Sequence, residues 1–348
     1  MAYTTIDNTA DYFNTITYVA NETDDRAVTV GFQPDFVWLK DTDQAVNHDL
    51  YDSVRGATKY ISSNNNNAEA TQSDGLKSFT STGFTLGTGW GNQSTNDVYG
   101  AWNWKAGTTG SGTTTGSGTG KAYSYSVSTD AGFSIVEYLG NGSAGHTIPH
   151  HLSDTPDLVF CKKTSDTGTW WVWGNPLGSD QIMELNSTSA KYNPNGNYHN
   201  DTMPSSSVVT LGSDSEANGN DATYILYCFA SKKGYSKVGG SYTGNGNADG
   251  PFVWTGFRPA FVLQKNAGAT QGWQLQDNKR DGYNGDNDLL QPHENATESG
   301  VNRIDILSNG FKVITTDAGQ NSSGVAYIFM AFAEAPFVNS NGVPCNAR

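Results

Sequence analysis

The chain has 348 residues and a formal net charge of −14, with 34 acidic and 20 basic residues. This balance argues against a nucleic-acid backbone or an anionic membrane surface as partner, since both need a basic stripe. It is rich in Gly (40), Tyr (17), Phe (15) and Trp (9), only 16% of residues are charged, and no run of 18 apolar residues could span a bilayer.

In chain order, strands are expected near 14–20, 27–30, 35–39, 58–62, 77–80, 83–87 and 97–104. Val28, Val30 and Phe32 alternate as a half-buried strand does. Phe36-Val37-Trp38-Leu39 is a continuous apolar run, as in a strand covered on both faces. Pro34 can open that strand but not sit inside it. A Gly/Ser/Thr tract follows at 107–120, with the composition of a flexible linker. The pattern then returns twice. Pro34, Pro156 and Pro259 each begin Pro-x-x-Val-x-x-Lys, and each follows a Tyr-x-x-Asn (Tyr18, Tyr138, Tyr242) by 16 to 18 residues. A second tyrosine closes each copy (Tyr99, Tyr224, Tyr327), and an aromatic stands five residues beyond it: Trp104, Phe229 and Phe332.

Repetition with turn signals between short strands predicts an all-β chain of three tandem, homologous β-sandwich domains of jelly-roll or lectin-like type. The expected boundaries are 1–106, a linker at 107–130, 131–232, 233–335 and a tail at 336–348. Tyr99 lies 57 residues before Pro156, whereas Tyr224 lies 35 before Pro259. This insertion predicts that repeat one moves independently of the other two. Three quasi-equivalent domains could also mimic a trimer within one chain.

Candidate chemistry is sparse. Asp52-x-x-Arg55 and Asp277-x-x-Arg280 occupy matching places in repeats one and three, whereas repeat two has Gly174 and Leu177. They read as surface ion pairs or as polar contacts for a ligand. Trp90, Trp170, Trp171 and Trp273 are candidate sugar-stacking residues if their loops are exposed; a place in the sandwich core is the alternative. Calcium could suit Asp214-Ser215-Glu216-Ala217-Asn218-Gly219, but Ile225 stands where a bidentate Glu is needed. Asp281, Asp286 and Asp288 form a second acidic loop. Acidic turns, and no cofactor, are expected at both. His146, His150 and His151 sit in a Gly/Pro-containing loop that makes a poor zinc scaffold. Cys161 and Cys228 fall in predicted strands as buried free thiols. No Gly-x-Ser-x-Gly elbow, P-loop or nucleophile–base pairing is present, so no enzymatic activity is expected.

Several segments carry a resemblance. They are Tyr-x-Gly-Asn-Gly at Tyr138 and Tyr242, Gly-Phe-x-Pro-x-Phe-Val at Gly31, Asp52-Ser53-Val54-Arg55-Gly56-Ala57-Thr58-Lys59, and Tyr99-Gly100-Ala101-Trp102-Asn103-Trp104-Lys105. Together they resemble an uncharacterised repeat domain of tail-fibre and other surface proteins of tailed phages, marine podoviruses in particular. The resemblance implies a virion protein made in the bacterial cytoplasm and released by lysis, which agrees with an N-terminus lacking secretion-signal character. It implies no catalytic residues. The expected role is a tail-fibre or receptor-binding component that contacts host surface glycan and other virion proteins and assembles as a homo-oligomer, with a trimer favoured. A capsid-decorating or fibre-shaft protein without a receptor is the alternative, and a polysaccharide depolymerase is the third reading.

Overall fold

The computed structural model describes residues 3–280, 284–285 and 287–345. Repeat one forms β1 (Phe13–Val19), β2 (Arg26–Thr29), β3 (Phe36–Asp41), β4 (Asp49–Asp52), β5 (Lys59–Ser62), β6 (Ala70–Thr71), β7 (Leu76–Thr80), β8 (Gly83–Leu86) and β9 (Val98–Trp104). Its large sheet runs β1-β9-β3-β4-β5-β6, and a small sheet, β2-β8-β7, packs on one face of it. Repeat two follows as β10 (Thr108–Thr113), β11 (Thr115–Gly116), β12 (Ala122–Ser128), β13 (Phe133–Leu139), β14 (His146–Pro149), β15 (Leu158–Lys163), β16 (Trp170–Gly174), β17 (Met183–Glu184), β18 (Val208–Leu211), the short helix α1 (Ser215–Asn218) and β19 (Thr223–Phe229). Repeat three comprises β20 (Ser236–Thr243), β21 (Phe252–Trp254), β22 (Phe257–Asn266), β23 (Trp273–Asp277), β24 (Ile304–Leu307), β25 (Gly310–Val313), α2 (Ala318–Asn321) and β26 (Ala326–Pro336).

One strand order recurs. β1-β9-β3-β4, β13-β19-β15-β16 and β20-β26-β22-β23 are antiparallel sheets of identical connectivity. The all-β sandwich expected from the sequence is what forms. β4 was not foreseen, because Asp49-Leu50-Tyr51-Asp52 is bracketed by acids; pairing with β3 imposes the strand. Pro259 sits inside β22 rather than before it, at a register shift where it need not donate to the ladder.

The apolar runs acquire two covered faces. Phe36 and Trp38 of β3 point into a core shared by all three repeats, while Val37 and Leu39 pack under the small sheet of repeat one. Leu158 and Phe160 likewise face the shared core, and Val159 and Cys161 the interior of repeat two. Phe261 and Leu263 face the shared core, and Val262 the interior of repeat three. At the centre the three repeat aromatics meet: Trp104 and Phe229 have ring centroids 6.4 Å apart, Trp104 and Phe332 5.5 Å, and Phe229 and Phe332 6.0 Å. The void among these walls is about 20 Å3, room for about one water, and its lining is apolar.

The 107–130 segment is not a flexible linker. β10 pairs with β12, and β12 with β13, so the tract extends the large sheet of repeat two. Glycine makes this possible: a Cβ on Gly110 would stand 2.6 Å from the Tyr125 hydroxyl, and one on Gly112 2.7 Å from that of Tyr123, so the tyrosine rings cover the backbone instead. Repeat one therefore shares both a core and a continuous hydrogen-bonded junction with its neighbours, and independent movement is not expected. Among the described residues no helix is long and apolar enough to cross a membrane.

A single cooperative unfolding transition is expected in guanidinium chloride, and Trp104→Ala should lower stability by about 3–5 kcal/mol. Fluorescence and far-UV circular dichroism should give coincident curves, whereas two separated transitions would mean that the sandwiches unfold one by one.

Candidate functional site

The seams between repeats follow one rule. A loop of each repeat reaches onto the next, and its backbone amide donates to the carbonyl eight residues after the next repeat's proline: Glu69 to Thr164 (2.9 Å), Lys191 to Ala267 (3.2 Å) and Glu298 to Thr42 (3.0 Å). The motif lysines Lys40, Lys162 and Lys265 are all buried, and burial pulls each down to about 8. Lys265 Nζ donates across its seam to the carbonyls of Thr188 (3.1 Å) and Ser189 (2.8 Å), and Lys162 Nζ to that of Asn66 (3.5 Å).

The Asp-x-x-Arg pairs lie inside two of these seams, not on the surface. Arg55 Nε donates to Asp52 Oδ2 (2.5 Å), and both side chains are fully buried. Asp52 Oδ1 accepts from the amides of Val54 and Arg55, and Oδ2 from the Tyr227 hydroxyl of repeat two (2.7 Å). Repeat three does the same toward repeat one: Arg280 Nε donates to Asp277 Oδ2 (2.8 Å), and Trp102 Nε1 donates to the same oxygen (3.1 Å). Glu69 and Glu298 add a second carboxylate to Arg55 (3.5 Å) and Arg280 (3.0 Å). At the remaining seam all four partners change together. Gly174 and Leu177 replace the pair, Lys191 supplies the seam amide in place of the glutamate, and Met330 stands where Tyr227 and Trp102 carry a donor. A buried ion pair missing one member is costly, so the set is kept or lost whole.

Two of the expected sugar-stacking tryptophans belong to the seams as well. Trp170 and Trp273 are 1% exposed, and their indoles donate to Ser62 O and Glu184 O, each 2.8 Å away in the preceding repeat. His48 takes the third such place and accepts from Trp38 Nε1 (3.0 Å). Burial holds His48 well below its ordinary value, so it is a neutral acceptor. These positions, with Asp52, Arg55, Asp277 and Arg280, join the repeats and do not face a ligand. Trp171 is buried too, beneath Tyr198 (ring centroids 4.0 Å), and lines a groove.

The Tyr-x-x-Asn motif closes the outer end of each sandwich. The first and last tyrosines stack at 5.5, 5.2 and 5.0 Å in the three repeats. A buried asparagine not foreseen in the sequence pins each turn. Asn92, Asn218 and Asn321 accept from the amides of Asn21 (3.1 Å), Asn141 (3.0 Å) and Asn245 (2.8 Å), and each Nδ2 donates to two carbonyls. Their places relative to Tyr99, Tyr224 and Tyr327 differ by one residue between copies, which hid them. Asp214 caps α1, accepting from the Glu216 amide (2.8 Å), so that acidic stretch is a capped helical turn. Asp281 and Asp286 lie outside the described residues, and among the described residues no His/Cys/Asp/Glu cluster could hold a metal. His146 pairs with Asn218 and Thr114, and His150 with Ser205 O. Cys161 and Cys228 are buried free thiols, Cys161 pushed by burial up to about 12.

A cleft of about 270 Å3 lies where repeat one meets repeat three. Half-exposed Trp90 stands edge-on to Tyr60 (4.6 Å) at one side. Lys40, Asp41, Asn47, Asp49, Gln93 and Tyr99 line the rest, and Asn295 of repeat three closes it, its Nδ2 donating to Ala45 O (3.4 Å). Burial raises Asp41, and it pushes Asp49 up to about 7 against the lowering effects of Ser62 and Lys40. Of the eight residues singled out in the sequence, Trp90 and Trp171 line clefts, and the other six build seams.

Fold and clefts together define an all-β protein of three quasi-equivalent sandwiches around one core, with recesses at the seams between them. The chain belongs to the family described as Domain of unknown function (DUF7483), whose model matches residues 8–336. That match takes in all three repeats and the shared core at once. No curated protein matches the chain, and no solved structure does.

Two outcomes are expected. Arg55→Leu alone should cost about 3–5 kcal/mol by stranding Asp52. Converting the whole set with Asp52→Gly, Arg55→Leu, Glu69→Lys and Tyr227→Met should recover most of that loss in urea midpoints. Between about pH 4 and about 7 the folded chain holds an extra proton on Asp49, so its contribution makes stability fall as pH rises through that window. Asp49→Asn should flatten this slope; an unchanged slope would exclude Asp49 as its source.

Proposed function

We propose that this protein is a saccharide-binding component of a virion surface, and that the Trp90 cleft is its contact for host glycan. The observation that carries the reading is the lining: a half-exposed tryptophan beside carboxylates, side-chain amides and a tyrosine. An aromatic face suits the C–H side of a sugar ring, and the polar groups suit its hydroxyls. The net charge of −14 speaks against an anionic polymer as ligand. The virion setting rests on the resemblance of the repeat motifs. With Trp170, Trp273 and the ion pairs committed to the seams, the glycan contact narrows to Trp90 and the polar groups around it.

A second reading has its own support. Quasi-threefold packing around Trp104, Phe229 and Phe332 suits a capsid-decorating protein seated at a threefold position, with no receptor of its own.

The two readings separate on a glycan array probed with the wild-type chain and with Trp90→Ala, whose side chain is not part of the shared core. Receptor binding predicts saccharide capture that falls about tenfold or more in the variant, a loss of about 1.4 kcal/mol. No capture by the wild type, with immunogold label spread over the head of the particle, would leave the decoration role.

A further inference from the structure

The Trp90 cleft has a counterpart one seam away. Two positions define each such place: the residue two before the buried asparagine that pins the turn (Asn92, Asn218 or Asn321), and the residue fifteen after the motif proline. In repeat one these are Trp90 and Asp49, and both line the cleft. In repeat two they are Glu216 and Trp171, which line a groove of about 330 Å3 closed by Asn66 of repeat one, just as Asn295 of repeat three closes the first. The same two side-chain chemistries, one indole and one carboxylate, have exchanged positions. In repeat three the positions are Gly319 and Gln274. There a Cβ on Gly319 would stand 3.0 Å from Gln274 Nε2, so these two residues pack directly on each other.

We propose that the groove framed by Trp171, Tyr198 and Glu216 is a second saccharide site, different in selectivity from the first, so that the chain is bivalent. This inference rests on the saccharide reading of the Trp90 cleft. Half-exposed Tyr198 stacks on Trp171 with an interplanar angle of 25° and presents a ring to the groove. Trp171 is 4% exposed, so its indole backs the Tyr198 ring and reports on what lands there. Glu216 is held in place by Thr169, whose amide donates to Oε2 (2.9 Å), and Gly168 N donates to Asn66 O (2.8 Å), so the rim is built before any ligand arrives. A neutral sugar unit fits: its apolar face lies on Tyr198 and a hydroxyl donates to Glu216. Because the accessible ring is Tyr198 here and Trp90 there, with the carboxylate at a different position, the two sites would favour different hydroxyl arrangements.

The nine indole N–H resonances of the intact protein supply the test, with Trp90 and Trp171 assigned by Trp→Phe substitution. Methyl β-D-glucopyranoside, methyl β-D-galactopyranoside and methyl α-D-mannopyranoside are titrated separately. The expected result is that both resonances move, with different midpoints or different preferred glycosides. Tyr198→Ala should silence only the Trp171 response, and Glu216→Gln, which keeps the shape, should weaken it about tenfold. The other indole resonances should stay in place in both variants. If Trp90 responds and Trp171 does not move with any glycoside, the second site is overturned and the first stands. If Trp171 responds and Trp90 is silent, the groove binds saccharide, but the Trp90 reading and with it bivalence are overturned. If neither moves, both are overturned.

Discussion

Mutual contact of Trp104, Phe229 and Phe332 is the constraint on which the rest depends. Each ring is the terminal inward residue of a central strand, so bringing the three together fixes where the large sheets start and which face each turns inward. Once that face is shared, the opposite face must be covered by the repeat's own small sheet, and the central strands become apolar on both sides. The almost fully buried patterns of β3, β15 and β22 follow from this geometry and not from local propensity.

The seams show how polar chemistry is admitted into such a core. Asp52 with Arg55, and Asp277 with Arg280, are desolvated, and their mutual attraction must offset a large hydration cost. They manage it because backbone amides, a neighbouring repeat's hydroxyl or indole, and a second carboxylate share the load. The seam carrying Gly174, Leu177, Lys191 and Met330 makes the other choice, and the protein holds both solutions at quasi-equivalent places. Such pairs restrict which repeat can sit beside which: a carboxylate that needs a hydroxyl or an indole opposite it would be stranded against Met330. Order around the axis is thereby encoded in polar matching, while the aromatic contacts supply most of the cohesion.

Much of the fold was legible in the sequence because repetition marks equivalent positions. The Pro-x-x-Val-x-x-Lys strands, the closing tyrosines and the aromatic five residues later all take matching roles. What could not be read was which face of a doubly apolar strand meets another repeat. From the sequence, Trp170 and Trp273 could equally have been loop residues, because only the carbonyls of Ser62 and Glu184, more than 80 residues away, make them buried staples. The tract at 107–120 misled for a related reason: glycine lowers strand propensity by itself, yet permits a strand when Tyr123 and Tyr125 lie across it. Trp90 was identifiable as a candidate, but its cleft was not, since Asn295 arrives from the far end of the chain.

The covalent connection of the three sandwiches has a further consequence. A homotrimer built on the same axis would dissociate on dilution, and any substitution in its subunit would appear three times. Here the junction at β10–β12 and the turn into β20 make the assembly unimolecular, so it persists at any concentration. Each seam can also change alone. One may trade an ion pair for Leu177 and Met330, and another may exchange the places of an acid and an indole, without disturbing the aromatic hub that all three require.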